Sequence, residues 1–171
     1  MMRRLANLVW LLVLAASLTV GCGSQEQREL EAYRKQLLLA QAPVEVRTIA
    51  DAKAQLADQP EVVLRGRVEV DQVPGTGGPQ AIFVLTELQP DDHGEQPGHV
   101  ADNCPFCKRR AAKAPRATIQ LMNAQGQVLP YNVQQLLGIH RGDIVVVRGR
   151  GQVVPELDLF TVTANGLYLK K

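Results

Sequence analysis

Within fifteen positions of this 171-residue chain stand His93, His99, Cys104 and Cys107, in the spacing H-x5-H-x4-C-x2-C. They are two of the three histidines and every cysteine except Cys22. Two thiolates and two imidazoles supply the four N/S donors that a tetrahedral Zn2+ takes in a closed structural site, and soft thiolates equally select Cu(I). Such an ion would give a fixed shape to the stretch 89–116, which is long for a connection inside a small domain. In an oxidising compartment the same two thiols can instead close on each other as a disulfide, strained by so short a ring.

The tetrad Cys104-Pro105-Phe106-Cys107 with Lys108 resembles a zinc knuckle, in which two thiolates two residues apart reach one ion. The histidines depart from finger patterns: they come first, and only four residues separate them from the cysteines. The tetrad also resembles the active-site motif of thioredoxin-superfamily oxidoreductases. That resemblance implies an attacking thiol at a helix N-terminus with a depressed pKa. A helical turn over Lys108 to Lys113 would add positive potential beside it. No βαβ pattern surrounds the motif, so a thioredoxin fold is not expected. Lys108 stands where haem attachment through CxxCH needs His, and Gly75-Thr76-Gly77-Gly78 lacks the Lys-Ser/Thr ending of a phosphate loop. No Ser-His-Asp set or paired carboxylate frame is present, which favours binding or structural work over catalysis.

The elements that must carry this segment begin with an export signal. Arg3 and Arg4 precede an apolar run, Leu8 to Leu18, too short to span a bilayer. The run closes on Leu18-Thr19-Val20-Gly21-Cys22, which resembles the lipobox of bacterial lipoproteins, with Thr19 in place of the usual Leu. The resemblance implies cleavage after residue 21, acylation of Cys22, and a chain held by lipid in the cell envelope, facing the periplasm or the exterior. Without Arg3 and Arg4 the 19 basic residues become 17, equal to the 17 acidic ones. A neutral mature chain is a poor phosphate binder, so nucleic acid is not the expected partner; a protein or glycan is. Residues 22–60 read as a helical tether. A helix is expected over Gln25–Gln41 with Leu30, Tyr33 and Leu37 on one stripe, ended by Pro43. A second is expected to be capped by Thr48 with Asp51, and closed by Pro60.

From residue 61 to 171 the texture is that of strands. Val62, Leu64, Gly66, Val68 and Val70 alternate with Val63, Arg65, Arg67 and Glu69. Further strands are expected at Ala81–Leu88, Ala117–Met122, Ile144–Gly151 and Leu157–Thr163, with Asn165-Gly166 turning into a last piece, Leu167–Leu169. Asn132 and Gly138 bracket a short helix. The fold class is therefore mainly β: a five-stranded barrel with one short helix between strands three and four, preceded by the helical tether. The segment Gly142-Asp143-Ile144-Val145-Val146-Val147-Arg148-Gly149 resembles the fourth strand of OB-folds. Gly66 and Gly149 sit mid-strand where a small barrel has to bend. The resemblance implies a ligand face on the barrel, for which Arg65, Arg67, Arg148, Arg150 and Phe83 are the candidates.

Overall fold

The computed structural model describes residues 22–70, 78–88 and 104–169, in two compact units, 1–35 and 36–171. The stretch 1–21 expected as an export signal, and His93 and His99, lie outside the described residues. Helix α1 is Cys22–Leu37 and the short α2 is Ile49–Ala54. They are followed by β1 (Glu61–Val70), β2 (Ile82–Glu87), α3 (Pro105–Lys113), β3 (Arg116–Leu121), α4 (Val133–Leu137), β4 (Ile144–Val154) and β5 (Leu159–Leu169). The strands close into a barrel in the order β1-β2-β3-β5-β4, antiparallel except where β3 meets β5. This is the OB-like architecture the strand order predicts.

The barrel follows from the two-residue side-chain period of each strand. On β1, Val62, Leu64 and Val68 are buried while Arg65 and Arg67 are exposed. On β2 both faces are covered, so Ala81, Ile82, Phe83, Leu85 and Thr86 are all buried. Phe83, Phe160, Leu64, Leu85, Ile119, Leu121 and Leu167 form the fully buried interior, joined by Leu136 from α4. Asn132 starts α4 by accepting the Gln134 N–H at 2.8 Å, and Gly138 stops it in the left-handed region at φ 69°. Closure depends on close backbone approach. A Cβ on Gly149 would strike the Thr163 carbonyl and lie 2.8 Å from the Ala164 Cα; one on Gly66 would lie 2.8 Å from the Thr86 oxygen.

Two local expectations are corrected. Asn165-Gly166 makes no turn: β5 runs unbroken from Leu159 to Leu169. Arg148 pairs with Gly166 and Gly149 with Ala164, leaving Asn165 as the extra residue of a bulge. Gly166 packs against the Leu39 side chain: an added Cβ would stand 3.0 Å from a Leu39 Cδ, so Leu39 would have to give by a few tenths of an ångström. The first helix also ends four residues early, at Leu37 rather than Gln41. Leu38 pairs in parallel with Leu167, and the Leu39 N–H donates to the Leu167 oxygen at 2.8 Å, so sheet pairing takes the backbone before Pro43 is reached. Helix α2 starts as expected. The Thr48 hydroxyl accepts the Asp51 N–H at 3.0 Å, and the Glu87 carboxylate accepts the Ala50 N–H at 2.9 Å.

Candidate functional site

The two cysteines stand at the start of α3, between β2 and β3. Pro105 occupies the first helical position, where its fixed φ suits a helix and its missing N–H costs nothing. Cys104 is the residue before it, and its carbonyl accepts the first helical bond, from the Lys108 N–H at 3.0 Å. That places the Cys104 sulfur over the open N–H groups of the first turn, where serine or aspartate commonly caps a helix. The Cys104 thiol is held below the ordinary thiol range. The largest cause is the Cys107 N–H donating to its sulfur; desolvation opposes this, while the Cys107 thiol, the Phe106 N–H and the Arg110 guanidinium add to it. Both cysteines are half-buried, and no disulfide joins them. Phe106, between them, is 71% exposed. Helix α3 therefore replaces part of the segment expected as an inserted loop, and it is longer than the expected turn over Lys108–Lys113.

The other end of α3 is tied to the barrel. Arg116, the first residue of β3, donates through Nε to Glu69 Oε2 at 2.7 Å and through a terminal nitrogen to Oε1 at 3.1 Å. It also reaches the Ala112 carbonyl at 3.4 Å, in the last turn of α3. The buried Thr86 hydroxyl donates to the same Glu69 oxygen at 2.6 Å. Burial raises the Glu69 pKa, but the Thr86 and Arg116 hydrogen bonds and the charges of Arg116 and Arg141 outweigh it, so the carboxyl lies below its usual range. One carboxylate thus links β1, β2, β3 and the end of the cysteine helix. Sequence reading did not find this fork; the only trace was that Glu69 falls on the outward phase of β1.

Among the described residues, no three His, Cys, Asp or Glu side chains gather as a metal site. The candidate cation ligands described are Cys104 and Cys107 alone. The four arginines are exposed on β1 and β4, which pair antiparallel, so the two tetrads do lie side by side. They are not a free basic patch. Glu61 is opposite Arg150 in register, Arg148 donates to the Asn165 side chain at 3.0 Å, and Arg67 reaches the Gly142 carbonyl at 3.4 Å. Phe83 is fully buried in the barrel interior, out of reach of a ligand on the outer face. A groove of about 450 Å³ runs past Glu45, Val46, Arg47, Glu61, Val63 and Arg148. Its Arg47 is committed to Gln55 and Gln59 at 3.4 and 2.9 Å and to the Glu61 carbonyl, so the groove is largely bonded to itself.

No protein-family model matches the sequence, and no curated protein does. Among solved structures, the chain is similar to one assigned as an aspartyl-tRNA synthetase from Leishmania major Friedlin, at 10% identity and a TM-score of 0.45. The match covers 85% of this chain and 26% of that one. A similarity at that level transfers no residue and no activity.

Proposed function

We propose that this chain is a lipid-anchored protein of the bacterial cell envelope whose barrel holds up a reactive thiol pair, Cys104 and Cys107, for thiol–disulfide exchange. Anchoring rests on the sequence around Cys22, whose acyl chains would keep the barrel at a membrane surface. The observation that carries the chemistry is the position of Cys104: its sulfur accepts N–H groups of the first turn of α3, with a second thiol in contact with it. A thiolate favoured in this way is both the attacking species and a good leaving group. Stabilising the reduced form also makes the closed disulfide a better oxidant, so a disulfide that the reduced pair takes up from one molecule would be passed on to the thiols of another.

The same contact between the two sulfurs favours a second reading. Both could ligate one soft cation, zinc or copper, with His93 and His99 completing four ligands.

The test uses the full chain carrying Cys22→Ser, which leaves Cys104 and Cys107 as the only thiols. Under the exchange reading, Cys104 reacts with iodoacetamide at neutral pH faster than it does in the urea-unfolded chain, and the reduced protein takes up a disulfide from a small-molecule donor. Equal alkylation rates in folded and unfolded chains would sink it. About one zinc or copper per chain, surviving desalting and blocking alkylation, would establish the metal reading instead.

A further inference from the structure

We infer that α3 makes the Cys104–Cys107 pair selective for anionic disulfides, molecules or protein segments that carry carboxylates beside the S–S bond. The inference rests on the exchange reading above and adds the substrate class to it.

Helix α3 has nine residues, four of them cationic (Lys108, Arg109, Arg110 and Lys113) and none acidic. Lys108, Arg109 and Lys113 are exposed. Arg116, the next cation along the chain, is neutralised by its paired contacts with Glu69 and adds little to the excess. At roughly 1.5 Å of rise per residue, Lys108 lies about 6 Å along the axis from Cys104. That is within the screening length of about 8 Å at physiological ionic strength. The helix dipole adds positive potential at the same end. An approaching carboxylate is therefore attracted just where the sulfur attacks. The exposed Phe106 ring, set between the cysteines in sequence, offers an apolar ledge for the carbon skeleton of the partner.

In the exchange, the Cys104 thiolate attacks one sulfur of RS–SR. A Cys104–SR bond forms, the S–S bond breaks, and RS⁻ leaves and is protonated by solvent. Cys107 then loses its proton and attacks the Cys104 sulfur, releasing the second RS⁻ and closing Cys104–Cys107. Two thiols are oxidised and one disulfide is reduced to two thiols. Each departing thiolate of an anionic partner carries further negative charge, which the α3 cations stabilise as it forms.

The experiment measures second-order rates of the reduced Cys22→Ser full chain with three probes: cystamine (cationic), bis(2-hydroxyethyl) disulfide (neutral) and 3,3′-dithiodipropionate (anionic). Each rate is normalised to that of a small neutral thiol with the same probe. The expected normalised rates favour the anionic over the cationic probe by about tenfold at low ionic strength and converge in high salt. Lys108→Glu with Arg109→Glu should reverse the order, and the salt series gives the same information without a variant that has to fold. Equal normalised rates at low salt overturn the inference while leaving exchange intact. No probe reacting faster with the folded than with the unfolded chain overturns both the exchange reading and the selectivity.

Discussion

A helix N-cap needs an acceptor for the N–H groups of its first turn, and at Cys104 that acceptor is sulfur. The cysteine pair was legible in the sequence as Cys-x-x-Cys, but the helix start was not: a turn was expected only from Lys108, whereas Pro105 opens α3. The Glu69–Arg116–Thr86 fork was not legible, because its members lie on three strands and meet only through the register of β1, β2 and β3. The fork makes stability depend on acid in a defined way. Glu69 has a depressed pKa in the fold, so its contribution is fully present above the ordinary carboxylate value of 4.5 and is lost as pH falls through the lowered folded value. Glu69→Gln keeps the shape and removes the charge. Because the Glu69 side chain is 35% exposed, solvent screening limits the loss to about 1 kcal/mol at pH 7. Urea denaturation of the two proteins should show that gap at pH 7 and a shrinking one below pH 4.5. A gap that grows in acid would mean the carboxylate is not held as its contacts indicate.

Among the elements, strands were read best where alternation is strong and burial one-sided. β1 has its expected ends, and the barrel order follows from the succession of strands and a single helix. Reading failed where tertiary contact overrides a local signal. Asn-Gly is a common hairpin turn, yet Leu39 packing on Gly166 and the pairing of Arg148 keep it inside β5. Helix α3 was underestimated because its exposed, strongly basic sequence carries no apolar stripe; its start depends on Pro105 and the Cys104 cap, and its end on Arg116. Gly149 shows how far one element depends on one residue. Its Cβ would collide with the backbone of Thr163 and Ala164, which no rotamer change can relieve. Gly149→Ala should therefore cost about 3 kcal/mol or prevent folding, whereas the same change at the open turn position Gly126 costs only the strain of its φ of 76°. Thermal unfolding of the two variants ranks them, and a Gly149→Ala barrel as stable as the parent would show that β4 and β5 have room the close approach denies.

For the whole molecule, the proposed attachment to a membrane is testable, because the two forces that could supply it separate by arithmetic. Among the described residues no helix is long and apolar enough to cross a bilayer. From Cys22 onward the acidic and basic residues balance, so attraction to anionic lipid through net charge is weak, and the cations of α3 make only a local exception. Acyl chains act through buried methylenes, each contributing about 0.8 kcal/mol, a term that salt does not screen. One chain holds reversibly and two hold stably. A lipid anchor on Cys22 thus predicts that the protein stays in the membrane pellet through a wash with about 1 M salt, where the screening length falls to about 3 Å. Cys22→Ser should move it to the soluble fraction with its barrel folded, since the strands that form the core begin at Glu61. Release of the parent protein by salt alone would assign its attachment to the basic helix, and pelleting of the Cys22→Ser chain after the same wash would assign it to the apolar run Leu8–Leu18 retained as an uncleaved anchor.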